Sequence, residues 1–234
     1  MNWEKIRSSW EVKSLVLIGR FFLGGFFLLY LLLVTPAAWT WVQTEWVRKS
    51  DVSALESVIG KALKENDLPR VRKWVSMRPL SETEDIVRII EPHSGELGTA
   101  LFAEIANRYT QLKNIDRAAF WYQYVRFRMR FDTLRCGSPD SVEVMSALFS
   151  LFPNEEMGKA FENDPALAKR SIQQVLDFDA KYPANNSPAD ICAPLNDIGS
   201  TRYVMLEKEK WRDVRFTLRW VTDQFLQENG TGKE

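Results

Sequence analysis

Leu15 to Val34, read as LVLIGRFFLGGFFLLYLLLV, holds twenty residues of which only Arg20 is charged. A helix of that length spans a hydrocarbon core of roughly 30 Å. A cleaved signal peptide has a shorter apolar centre followed by small residues. Here the best small run, Thr35-Pro36-Ala37-Ala38, contains a proline that suits cleavage poorly. A buried core helix of this length would carry polar punctuation. The expectation is therefore an uncleaved transmembrane helix. Arg20 lies within about two turns of the polar flank, so its stem can reach back to the headgroups. Trp3 and Trp10 on one side, and Trp39, Trp41 and Trp46 on the other, form the expected pair of interfacial aromatic belts. Lys5, Arg7, Lys13 and Arg20 precede the centre of the span, against Arg48 and Lys49 close behind it. That bias sets the N-terminus in the cytoplasm and the body in the periplasm or another extracytoplasmic space.

With the anchor set aside, the rest of a 234-residue chain is long enough for one soluble domain with a real core. The expected divisions are a cytoplasmic flank (1–14), the span (15–38), a juxtamembrane linker (39–50), a helical domain (51–228) and a flexible tail (229–234). Lys plus Arg equals Asp plus Glu, at 31 each, so no basic surplus points to a nucleic-acid partner. Two cysteines, Cys136 and Cys192, have one possible pairing. In an oxidising compartment they form one disulfide; otherwise they are buried free thiols. The bond would close a separation of 56 residues, worth about 4 kcal/mol by loop entropy.

The soluble part is patterned as helices throughout, an all-α fold. Asp51 or Ser53 caps a first helix carrying Leu55, Val58, Ile59 and Ala62. Asn66-Asp67 is a turn, and Leu68, Val71, Trp74 and Val75 form the next stripe, closed by Pro79. Ser81 with Glu84 has capping-box spacing before a helix from Glu82 to Ile90, and Glu91 to Gly95 reads as a loop. Phe102, Ile105, Ala106 and Tyr109 make one helical face; Lys113-Asn114 breaks it, and Ile115, Ala118, Tyr122 and Val125 continue on the next helix. Sliding that pattern back 47 residues lands on Leu55, Val58, Ile59, Ala62, Leu68, Val71 and Val75, with Trp121 falling on Trp74. This suggests an internal repeat.

The segment ALFAEIANRYTQLKNIDRAAFWYQYVRFR resembles one tetratricopeptide unit. Phe102, Ile105, Ala106 and Tyr109 match the first-helix positions, and Ala118 and Tyr122 the small and aromatic positions of the second. It departs from that family at Lys113, where glycine is usual, and at Arg130, where proline is. KEKWRDVRFTLRWV echoes the turn and second helix, with Trp211, Val214 and Leu218 in packing positions. The resemblance implies a stack of antiparallel helical hairpins that binds other proteins.

Phe120 to Phe131 is rich in aromatics on nearly all sides, so this helix is expected to be central and covered by neighbours. Arg126, Arg128 and Arg130 interleave with its aromatics and, with Tyr124, are the candidate partner-binding residues. The bland alternative has these arginines pairing with local carboxylates and reaching past the core to water. Asp140-Ser141 caps a helix to about Phe152, and a short one runs from Asn154 to Phe161. Asp164-Pro165 starts another that bears Leu167, Ile172, Val175, Leu176 and Phe178 and stops at Tyr182-Pro183. A loop spans Ala184 to Gly199. The final helices run from Ser200 to Glu228, with an apolar face of Trp211, Val214, Leu218, Val221, Phe225 and Leu226.

No catalytic chemistry is legible. The single histidine, His93, has no serine-glycine elbow or ligand-spaced carboxylate to support it, and no GxGxxG, GxxxxGK[ST] or EF-hand loop is present. No cofactor, metal or small-molecule substrate is expected. The expected role is a membrane-anchored scaffold or accessory subunit of an inner-membrane or envelope complex. Its expected partners are the bilayer and one or more protein subunits. The alternative is a membrane-bound periplasmic enzyme or binding domain for cell-wall sugars or peptides, with a deep cleft near Tyr124, Arg126 and Arg130.

Overall fold

The structure, a computed structural model, describes residues 50–136, 149–150, 152–186 and 205–228. The chain divides into two units, residues 1–50 and 51–234, and the description that follows concerns the second. Leu15–Val34 lies outside the described residues, as do Trp3, Trp10, Arg20, Trp39, Trp41, Trp46 and Cys192. No helix among the described residues is long and apolar enough to cross a membrane.

The described part is all-α: α1 (Ala54–Glu65), α2 (Leu68–Ser76), α3 (Thr83–Ile90), α4 (Thr99–Gln111), α5 (Ile115–Cys136), α6 (Asn154–Asn163), α7 (Pro165–Lys181) and α8 (Trp211–Glu228). Consecutive helices pack as hairpins, α1 on α2 and α4 on α5. The long α5 is the hub, touching α4, α6, α7 and α8. Its aromatic sequence explains why. Ala118, Ala119, Trp121, Tyr124, Val125, Phe127, Met129 and Phe131 are all buried, so neighbours cover the helix except along the strip that carries Arg126, Arg130 and Leu134.

Across α4, α5 and α7 the aromatic rings interlock. Phe102 stacks on Trp121 at 5.7 Å and meets Tyr124 edge-on at 5.0 Å, while Phe178 from α7 packs edge-on against Phe120, Trp121 and Tyr124. Offset and edge-on geometries of this kind add to the area each ring buries. Leu55, Ile59, Ala62, Val71, Trp74 and Val75 close the core of the first hairpin.

Both hairpin turns use a left-handed residue, Asn66 (φ 55°) and Lys113 (φ 58°), and these two residues lie 47 positions apart. Asn tolerates that conformation readily; Lys does so at a cost that glycine would avoid. Asn114 then caps α5, its Oδ1 accepting from the Arg117 backbone at 3.3 Å.

Local signals differ from the structure in several places. Asp51 accepts from the Ser53 backbone at 2.7 Å, while the Ser53 side chain makes no cap bond. The Ser81–Glu84 capping box does not form. A 3-10 turn, Leu80–Glu82, delivers the chain into α3, which starts at Thr83 without a side-chain cap. Glu82 faces Arg78 instead, at 2.6 Å. Within the expected loop, Glu91–His93 is a 3-10 turn. Asp164 caps α7 as expected, accepting from the Ala166 and Leu167 backbones.

Helix α8 starts only at Trp211. Upstream, the Leu206 N–H is held by the Arg135 carbonyl at 2.9 Å, which takes that residue out of any helical ladder. Of the apolar face expected there, Leu218 and Leu226 are buried but Val221 is half exposed. The helix expected from Asp140 to Phe152 falls mostly outside the described residues.

Candidate functional site

Four arginines run through the buried interior, and three of them hold the hairpins together. Arg108, on α4, donates to the carbonyls of Val75 and Arg78 at 3.1 Å each, to Pro79 O, and through Nε to Thr83 Oγ1 at 3.0 Å. It sits at the C-terminal end of α2, where the exposed lone pairs of the last carbonyls and the helix dipole favour a cation. Arg128 donates to Ser94 O at 2.6 Å, Tyr124 Oη at 2.9 Å, Leu97 O at 3.0 Å and Asn186 Oδ1 at 2.9 Å. Arg135 donates to Asn186 O at 2.8 Å and pairs with Asp132, which also accepts from Thr99 Oγ1 at 2.6 Å. Arg78, the fourth, pairs with Glu82.

This placement corrects part of the sequence expectation. Tyr124 and Arg128 are 0% exposed and cannot meet a partner on the surface. Nor does Arg128 use a carboxylate, since its acceptors are carbonyl, amide and phenol oxygens. The physical reason is positional. The interleaved arginines of α5 fall on different faces, and only the faces of Arg126 and Arg130 are uncovered. Arg126 is half buried and stacks over Tyr122 and Phe149, at 5.6 and 5.8 Å. Arg130 is exposed, and its pKa is lowered by desolvation and by Arg126 one turn away. Tyr124 has no solvent-facing surface from which to line the cleft expected of an enzyme.

Cys136 ends α5 and is 0% exposed. No free cysteine thiol is present among the described residues. His93 joins elements: its Nε2 lies 2.9 Å from Glu56 on α1 and its Nδ1 3.5 Å from Glu96. Among the described residues no three His, Cys, Asp or Glu side chains gather where a metal could sit.

Two open grooves flank α7. One, of about 400 Å³, lies against α5 and has Phe120 and Phe178 among its lining residues, with Glu91, Asp116, Arg117 and Lys181 supplying charge. The other, of about 280 Å³, lies against α8 and is lined by Gln173, Leu176, Asp177, Phe216, Arg219, Trp220 and Asp223. Asp177 lines both.

The α8 side is the more unusual. Phe216 is 70% exposed and Trp220 56%. On the other face of the same helix Leu218 is buried, and in the groove wall Arg219 donates to Leu176 O and Asp179 at 2.8 and 3.0 Å. Sequence reasoning missed Phe216 and Trp220. Their spacing of four, off the Leu218 face, was the available signal.

Comparison of the chain with known protein families, with characterised proteins and with solved structures finds no match.

Proposed function

We propose that this protein is a membrane-anchored interaction scaffold, an accessory subunit that holds another protein of an envelope complex against its helical domain. The observation that carries the reading is the outer face of α8. Two large aromatic side chains stand mostly in water on a helix whose other face is locked into the core. Exposed apolar clusters of this kind are characteristic of interaction surfaces. The anchor is the Leu15–Val34 stretch, with the N-terminus cytoplasmic and the domain in an oxidising space.

The tetratricopeptide-like reading draws support from the two hairpins and their matching left-handed turn residues. Pairing of Cys136 with Cys192 belongs to the same proposal. Asn186 and Leu206, on either side of residues 187–204 in the chain, are both bonded to Arg135, which donates to Asn186 O and whose own carbonyl receives the Leu206 N–H. That point is next to Cys136, and Cys192 lies only six residues beyond Asn186.

The test is purification of the full-length chain from native membranes in mild detergent after chemical crosslinking. A stoichiometric protein partner is the expected result. Recovery of the chain by itself, or its release from membranes without detergent, would overturn the proposal.

A further inference from the structure

We propose that the groove between α7 and α8, with the Phe216–Trp220 stripe beside it, docks a basic amphipathic helix of the partner protein. The inference rests on the scaffold reading and adds the chemistry of what is held. Apolar side chains of the incoming helix cover Phe216 and Trp220, and its Lys or Arg residues meet Asp177 and Asp223.

The charge of the groove points to a cation-bearing ligand. Asp177 and Asp223 both line it, and each is touched only by a neutral amide: Gln173 Nε2 at 3.3 Å and Gln227 Nε2 at 3.0 Å. Among the described residues neither carboxylate makes an ion pair. The one cation in the lining, Arg219, leans toward the buried Asp179, a carboxylate it shares with Arg215. The groove therefore sets two unpaired carboxylates against one partly neutralised guanidinium beside an aromatic stripe, an acidic balance that favours a positive partner and slows a negative one.

Shape points to a helix. The groove runs between two helices, and a third can lay its ridge of side chains there as neighbouring helices do. Phe216 and Trp220, four residues apart, present one continuous stripe to such a ridge. An anionic lipid surface fits poorly, because the two carboxylates would face phosphate. A second copy of this chain fits poorly for a related reason. A two-fold contact on this face would bring the same acidic pair toward itself.

The experiment places a photo-reactive benzoylphenylalanine at Trp220 of the full-length chain in native membranes, with a control at Leu112, which is 42% exposed. The expected result is one adduct at Trp220, absent at Leu112, whose crosslinked peptide maps to a helical segment with apolar residues at spacings of three and four and a net positive charge. The double variant Asp177→Lys, Asp223→Lys should lower its yield about tenfold or more, the equivalent of about 1.4 kcal/mol lost at the contact. Because these side chains are exposed, thermal unfolding should be unchanged, and that control accompanies the measurement.

An adduct to lipid, to a second copy, to another segment of this same chain or to an acidic segment would overturn the inference, as would a yield insensitive to the charge reversal. If purification still yields a stoichiometric partner while Trp220 gives no adduct, the scaffold reading survives and the groove assignment fails. If no partner is recovered, both fail.

Discussion

Arg108 is 2% exposed and makes no ion pair; it gathers carbonyls at the end of one hairpin and the start of α3. Removing it leaves Arg78 O without its donor in a dry interior, while Val75 O and Pro79 O keep the Arg78 and Glu82 N–H groups; an unmet acceptor costs about 1–3 kcal/mol. Arg108→Met is thus expected to lower unfolding free energy by about 1–3 kcal/mol in a urea titration. Arg108→Lys should recover little of that, because a single ammonium lacks the planar fork that reaches separated acceptors. Its neighbour Tyr109 offers a pH signature. Desolvation is the chief cause pushing its hydroxyl up to about 12, with Arg117 opposing and Glu84 assisting. In the unfolded chain this phenol ionises near its ordinary value of 10. Between pH 10 and 12 the unfolded state has lost the proton that the native state keeps, so stability falls as pH rises, by at most about 1.4 kcal/mol per unit. Below pH 10 the contribution is fully present. Tyr109→Phe should flatten this alkaline limb without changing its onset elsewhere, as read by circular dichroism against pH.

Among the elements, the helices themselves were readable, because apolar residues at spacings of three and four and a strong Asp-Pro start survive any tertiary context. The ends were less so. Ser81 and Glu84 have the right spacing for a capping box, yet Glu82 pairs with Arg78 and a 3-10 turn takes over the entry to α3. Asn114, read only as a break, is the cap of α5. The strap after α7 depends on a contact invisible to any local pattern. Gly95 O receives the Asn185 and Asn186 N–H groups at 2.8 and 3.1 Å, and a Cβ on Gly95 would meet the Pro183 carbonyl at 2.5 Å. Gly95→Ala must displace backbone rather than a flexible side chain, with an expected loss of about 1–3 kcal/mol. Its readout is faster amide exchange at Asn185 and Asn186, which a general loss of packing elsewhere would not single out.

For the whole molecule, the scaffold proposal makes two demands that can be checked without knowing the partner. The full-length chain should stay with membranes through alkaline carbonate and leave only with detergent. In denaturant without reductant, neither Cys136 nor Cys192 should react with a maleimide, and both should react after reduction; free labelling beforehand removes the disulfide. Denaturant is needed because Cys136 is 0% exposed in the fold. Cys192→Ser would then lower stability by up to about 4 kcal/mol. The sequence by itself determined the all-α class, the main turn positions and the central place of the Phe120–Phe131 segment, since these follow from spacing and from aromatic residues on nearly every side of one helix. Which arginines of that segment lie inside, and which aromatic residues of α8 are left in water, only the tertiary structure decided. Burial of a given helical face depends on which other helix covers it, and that neighbour is distant in the chain.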